Sequence, residues 1–403
     1  MLDGGTSACG MSPYDFKPSS PDPGVTCGQR YAAFAIGRND ITIERATAAG
    51  HDGTVVIDGG RDTLLPYCAQ RSYRAASGAE EGIDLNGHSG VVIDGMIRGG
   101  IVVRGAQDGI AMGGGGNDTL RDMEIFDNGY AVPNPWGYST DGNGVSLSGE
   151  NNVYDRLIVH DNGQDEFHSD TEPNGSTFGY SVSGSVFSNS WLGAVRADPL
   201  YPDEPFNDLQ VSGHDPGCEH ADGVQIFEPG ITMSGLTFSY DVFGPGTNSG
   251  LFPSDAGTHA TVDNVTVDDS LFLSPASIDI MTVNPVHGWK LSHDTLIAAR
   301  GALLILGNGS NTMTDVIKYG GSVYTSGGSW ITSGNVWYGG DPLPGESANR
   351  NPGFPSIPTG TMPTLASLLA ADFTPSGTTS GSPLHSLSDL LMRIDSLNAS
   401  QGR

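Results

Sequence analysis

Residues 117–129 read NDTLRDMEIFDNG, and residues 151–163 read NNVYDRLIVHDNG. In both, apolar and polar residues alternate between bounding Asn, Asp and Gly, the pattern of short strands with one buried face and tight turns. A third copy, HATVDNVTVDDSLF, stands at 259–272. Working outward, another strand recurs beside these, opening each time on an apolar residue. These are Ile83 in GIDLNG, Ile110 in DGIAMG, Val145 in NGVSLSG, Phe167 in DEFHSD, Val195 in GAVRAD, Val224 in DGVQIF, Leu251 in GLFPSD, Ile278 in SIDIMT and Leu303 in ALLILG. Successive steps run from 22 to 29 residues, apart from one of 35 that holds the insertion AVPNPWGYSTDG at 131–142. A coil of this length with two or three short strands is one rung of a parallel β-helix. A β-propeller repeat is nearly twice as long, and a leucine-rich repeat needs a Leu/Asn signature that is absent. The expected fold is all-β, a single-domain right-handed parallel β-helix. Residues 1–80 are expected to form an N-terminal cap and first coils, 81–340 the rungs, and 341–403 a C-terminal wrap with one helical stretch near 384–396.

Composition agrees with a folded, turn-rich chain: of 403 residues 59 are Gly and 25 Pro, while 37% are hydrophobic. Acidic residues outnumber basic ones 46 to 18, for a net charge of -28. That excludes nucleic acid as a partner, because phosphates need a basic footprint. It also disfavours an anionic polymer unless cations sit in an acidic groove, although net charge speaks to solubility first. The four cysteines, Cys9, Cys27, Cys68 and Cys218, include no CxxC pair. An even count fits two disulfides in an oxidising compartment. Cys9–Cys27 with Cys68–Cys218 is the preferred pairing, and connectivity stays open. No apolar run reaches 18 residues, so no membrane span is expected. The start MLDGGTSACG has no signal-peptide pattern, and an exported, monomeric protein whose leader lies outside this sequence is expected.

Side chains alternate along a strand, so the residue after each inward opener points outward, as does the third after it. The first outward column reads Asp84, Ala111, Ser146, His168, Arg196, Gln225, Phe252, Asp279 and Leu304. The second contains Asp170, Asp198 and Phe227. On this reading His168 and Asp170 lie beneath Arg196 and Asp198, with Gln225 above and Asp222 and Glu228 flanking. Glu228 and Asp255 fall at equivalent positions on successive rungs. Stacked like charges are costly unless Arg196, His168 or a cation offsets them. Asp165, Glu166 and Glu172 read as turn residues or calcium ligands, with plain turns favoured. His160 takes the place of Phe126 one rung earlier and reads as structural. Trp136 and Tyr138 in PNPWGYSTDG, and Tyr201 and Phe206 in DPLYPDEPFND, could wall a groove with flat rings or simply anchor loops.

The stretch IVHDNGQDEFHSD (158–170) resembles the pectate-lyase-type β-helix superfamily of secreted polysaccharide-active enzymes, and is similar to rungs of bacterial alginate epimerases. The tail DFTPSGTTSGSPL (372–384) resembles the closing segment of such chains. The YGxDPH motif of the epimerases is replaced here by DGNGVSL (141–147), and the NTD, GHG and RIK motifs of polygalacturonase-type glycosidases are absent. The resemblance implies a polysaccharide substrate and a strand face that carries the chemistry.

Glycosidic hydrolysis needs one carboxylic acid to protonate the leaving oxygen and a second group as base or nucleophile. By likeness to polygalacturonase-type sites, Asp198 is the expected acid, Asp170 and Asp222 the base-side carboxylates, and His168 and Arg196 tuners or substrate donors. Gln225, Glu228, Asp255, Asp279, Trp136, Tyr138 and Tyr201 are expected to bind substrate. In the competing lyase reading, Asp170, Asp198 and Glu228 hold calcium against a uronate and Arg196 is the base. No cofactor is expected for a hydrolase. A non-catalytic glycan-binding β-helix is the third class, although no apolar trimer stripe is evident.

Overall fold

The computed structural model describes residues 30–45, 54–59, 79–106, 108–128, 130–134, 137–141, 143–163, 165–170, 181–195, 222–227, 232–245, 249–252, 261–274, 278–282, 286–298, 301–306, 309–326, 328–343, 345–346, 351–357 and 365–401. Three ten-stranded sheets run the length of these residues, each taking one strand per coil. In all three, neighbouring strands are parallel and come from successive coils. The chain is a parallel β-helix, of the right-handed sense that parallel crossovers take.

Why these residues turn where they do is visible in the backbone. On seven of the ten coils the corner between the second and third sheets is a single residue in the left-handed region, Asp122, Arg156, Asn189, Tyr240, Asp269, His293 or Asp315, with φ between 52° and 57°. One such residue swings the chain sharply without a loop. Asn, Asp and His take that region at low cost, whereas Arg156 and Tyr240 do so against their preference.

The interior is built from columns. Ile83, Ile110, Val145, Phe167, Val224 and Leu251 stack within the first sheet. Tyr154, Phe187 and Phe238 stack face to face at 4.7 Å inside the second, and Phe243 on Phe272 at 4.4 Å inside the third. The inward column of the third sheet ends unusually, because Lys318 follows Leu296 and precedes Trp337. Burial pushes the Lys318 ammonium below its ordinary value, and it donates to the Gly339 carbonyl.

The three outer faces differ. On the third sheet Ile158, Trp191, Val242, Leu271, Leu273 and Ile297 form an apolar face covered by Phe373, Leu384, Leu387, Leu390 and Ile394 of the C-terminal segment. That segment contains the helices Leu365–Leu369 and Leu387–Ser400. The second sheet carries a polar ladder with ion pairs such as Arg121–Asp94 at 3.0 Å. The first sheet carries the candidate site.

Two parts of the sequence-derived register need correction. Phe167–Asp170 pairs directly with Asp222–Phe227, so His168 lies beside Gln225 and Asp170 beside Phe227. No rung opening at Val195 lies between them, and Arg196 and Asp198 are therefore not the middle steps of this ladder. The coil from Phe167 to Val224 is one long turn that mimics two ordinary ones in length. Its strand Trp191–Gly193 belongs to the third sheet. Further along, Leu251 pairs with Ile280 rather than Ile278. Asp279 consequently leaves the column of His168 and Gln225, and Met281 takes its place beside Leu304.

Candidate active site

On the outer side of the first sheet the observed column runs Asp84, Ala111, Ser146, His168, Gln225. Each member is preceded, three residues earlier, by a polar residue at the mouth of the strand: Glu81, Asp108, Asn143, Asp165 and Asp222. These mouth residues hold consecutive coils together. Asp108 Oδ1 accepts from the Asn143 amide (2.9 Å), Asp165 Oδ1 from the Asp222 amide (2.5 Å), and Asp222 Oδ1 from the Ser249 amide (2.7 Å). The column is structural wherever nothing else touches it.

At His168 something else does. Its Nδ1 lies 2.5 Å from the second oxygen of Asp165. The Asp165 carboxylate is wholly buried, while the His168 side chain keeps 12% of its surface open. Burial raises the Asp165 carboxyl to about 6, against the opposing pull of the His168 contact, and the neighbouring Asp222 adds to the rise. A buried carboxylate that grips one ring nitrogen fixes the tautomer and orientation of the imidazole, leaving Nε2 as the nitrogen for proton transfer. Asp108 lies close enough on the same face for the His168 charge to act on it, and Ser146 hydrogen-bonds to it; burial outweighs both and raises its carboxyl.

Behind the dyad sits Glu166, fully buried. Its register partners on the flanking rungs are Gly144 and Gly223. A Cβ on Gly144 would stand 2.4 Å from Val159 Cγ1, so the column is normally too tight for any side chain. Glu166 is held by Asn162 Nδ2 at 2.6 Å, and burial pushes its carboxyl well up. Asn162 in turn accepts from Asn128 Nδ2 at 2.9 Å, continuing the internal chain.

His160, on the third-sheet strand of the preceding coil, is a separate feature. It stacks between Phe126 (5.2 Å) and Trp191 (5.1 Å), and its two nitrogens face Asp161 (2.7 Å) and Glu124 (3.2 Å). It is a rung of a ring ladder, in the position the sequence pattern gave it opposite Phe126.

The expected site residues fall as follows. His168 and Gln225 are side by side on the outer face of the first sheet. Asp222 is the first residue of its strand, not part of a turn, and is fully buried. Asp170 ends the strand of His168. Asp279 is buried one step off the column. Tyr138 belongs to a hairpin in which Gly137–Asp141 pairs antiparallel with Tyr130–Asn134. Arg196, Asp198, Tyr201, Glu228, Asp255, Trp136 and the four cysteines lie outside the described residues, as do the Asp170 and Tyr138 side chains. Sequence reading took Asp165 for a turn residue or calcium ligand and passed over Asp108. The signal was present, because an Asp three residues before the outward position repeats in DGIA, DEFH and DGVQ.

For calcium, Asp198, Glu228 and the side chain of Asp170 lie outside the described residues. Among the described residues, one group of three ligand types with atoms within 4.8 Å of one another is found, Asp268, Asp269 and His293. It lies at the corner of the second and third sheets, beside an open groove of about 470 Å³ under residues 374–385.

No protein-family model and no curated protein sequence matches the chain. Among solved structures it is similar to a pectate lyase, at 12% identity over 86% of this chain and 79% of that one, with a TM-score of 0.39. It is also similar to the tailspike protein gp49 of Acinetobacter baumannii bacteriophage Fri1, a capsular polysaccharide depolymerase. There the identity is 10%, over 77% of this chain and 51% of that one, with a TM-score of 0.29. A third is the catalytic domain of a GH87 α-1,3-glucanase in complex with tetrasaccharides, at 12% identity over 64% and 52%, with a TM-score of 0.25.

Proposed function

We propose that the chain is an exported, monomeric carbohydrate-active enzyme that hydrolyses glycosidic bonds in a polysaccharide, with His168 as the base and Asp165 as the residue that orients it. The observation that carries this reading is the 2.5 Å contact between His168 Nδ1 and a carboxylate buried at the foot of the outer ladder. An imidazole fixed in this way takes a proton from water at neutral pH, and the orienting carboxylate stabilises the imidazolium that forms. Elimination from a uronate needs a cation or an amide to neutralise the sugar carboxylate, and Gln225 is an amide on this face. The described outer residues of the first sheet, from Asp84 to Met281, include neither Lys nor Arg, and acids stand beside them at Asp108, Asp165 and Asp222. An uncharged polymer suits such a face better than a polyanion.

The experiment is incubation with a panel of neutral and uronic polysaccharides, following reducing ends and ultraviolet absorbance together. New reducing ends without absorbance are expected, unaffected by chelator. His168→Ala and Asp165→Asn should each slow the reaction by about 10²–10⁴-fold. Rising absorbance that chelator abolishes would replace this reading with a calcium-dependent elimination, and a His168→Ala variant at full rate would remove the proposed centre.

A further inference from the structure

We infer that the C-terminal segment from Ser380 to Asn398 is a clasp that makes the coils open as one unit instead of fraying from either end. The clasp acts whichever chemistry the first sheet performs. Each long sheet takes one strand from each of ten coils, and the segment runs back along them from the tenth to the second. Ser380 Oγ donates to the Gly334 carbonyl of the tenth coil (2.6 Å), and the Gly381 amide to the Asp315 carbonyl of the ninth (2.6 Å). The Ser382 amide donates to Thr295 Oγ1 of the eighth (2.9 Å), and its hydroxyl to the Asp269 carbonyl of the seventh (2.8 Å). Arg393 then lies 3.5 Å over the Tyr240 ring of the sixth coil and donates to Asn189 Oδ1 of the fifth (2.6 Å). Asn398 Nδ2 donates to Asp122 Oδ1 of the third (2.9 Å), which Arg156 of the fourth also holds (2.8 Å). Asp395 pairs with Arg98 of the second (3.0 Å).

These grips follow one line. Asp122, Asn189, Tyr240, Asp269, Asp315 and Gly334 are all corner residues between the second and third sheets, each at positive φ. Tyr240 and Arg156 hold that conformation against their backbone preference. Both are used by the clasp: Tyr240 carries Arg393, and Arg156 braces the Asp122 that Asn398 reaches. Backbone strain of this kind persists where the surroundings over-determine it. The lengths agree as well. A helix of 14 residues is about 21 Å long, and four rungs advance about 19 Å. Leu387–Ser400 therefore spans the second to sixth coils that its side chains grip.

A solenoid coil touches only its neighbours, so stability is a sum of coil and interface contributions and an end can open alone. The clasp adds contacts between coils that are not neighbours. A helix of this length is marginal without packing. When the second and third coils open, Asp395 and Asn398 lose their partners, the helix melts, and Arg393 leaves the fifth and sixth coils. Opening at one end is thereby felt along the solenoid.

Native-state hydrogen exchange of the full chain at rising, sub-denaturing urea, read by mass spectrometry, tests the clasp. In the unaltered protein, amides of residues 92–104 in the second coil and 310–319 in the ninth should lose protection at the same urea concentration. In Arg393→Ala, amides of 92–104 should exchange about tenfold faster, the scale of one charged hydrogen bond, while 310–319 keep their protection. Tyr240→Asn separates grip from strain, because Asn takes the corner conformation at lower cost yet offers no ring to Arg393. It should shift 92–104 in the same direction, by a smaller factor. Ends that already part in the unaltered protein would overturn the clasp. So would ends that move together, or not at all, in Arg393→Ala, and so would unchanged or slower exchange of 92–104 in Tyr240→Asn.

Discussion

His160 and His168 occupy successive strands of the chain and do opposite work. His160 is a stacked ring whose charge is structural. Burial alone would lower its pKa, but the hydrogen bonds to Asp161 and Glu124 prevail and raise it to about 9. A raised folded pKa means the protonated form stabilises the fold, fully below the ordinary value of about 6.5, with the gain lost as pH rises toward 9. His160→Phe keeps the stack with Phe126 and Trp191 and removes the titration. Its melting temperature should vary less between pH 6.5 and 9 than that of the unaltered protein, as scanning calorimetry would show; an unchanged slope would mean that His160 is neutral in the fold. At His168 the relevant group is Asp165, raised to about 6 mainly by burial. Protonating it weakens the grip on Nδ1, so kcat/KM should fall as pH drops through about 6. A pH–rate profile flat down to pH 5 would contradict this role. His168 was legible in the sequence as an outward residue. Asp165 was not, because an Asp ahead of a strand reads first as a turn former, and only the geometry shows its second oxygen turned to the imidazole.

Among the elements, the helix Leu387–Ser400 shows how local signals and packing combine. Ser386 caps it by accepting from the Asp389 amide (3.0 Å), and Asp389 Oδ2 reaches back to accept from the amide of His385, the residue before the cap (2.8 Å). Leu387, Leu390 and Ile394 then face the apolar side of the third sheet. Arg393 adds a hydrogen bond to Asn189 (2.6 Å) and lies 3.5 Å over the Tyr240 ring, and Asn398 reaches Asp122 (2.9 Å). Leu390→Ala should cost about 2–5 kcal/mol, measured by denaturant unfolding. A loss under about 0.5 kcal/mol, the range of surface changes, would mean the helix is not part of the cooperative fold. The helical stretch could be read from its apolar spacing, but its docking place could not, since the partners Ile158 to Ile297 are far away in sequence. The same distance limited the strand register. A 27-residue rhythm is readable, yet the long coil between Phe167 and Val224 fits two such steps, and only hydrogen-bonded pairing shows that it is one.

For the whole molecule, the parallel β-helix leaves three long faces, and chemistry sorts them. The third sheet is covered by the C-terminal segment, the second offers a ladder of ion pairs and hydroxyls, and the first gathers acids around a fixed imidazole. Coil periodicity made the solenoid legible from sequence, because each rung must repeat its buried positions to stack on its neighbour. The chemistry was less legible, because a carboxylate serving as backbone brace and one serving as catalyst occupy the same motif position. The most direct test of the central claim is to let the enzyme act on a responsive polysaccharide in water enriched in oxygen-18 and to weigh the fragments. Hydrolysis at His168 predicts one labelled oxygen in every new reducing end, lost when His168 is replaced by Ala. Fragments lighter by one water and free of label would contradict the account.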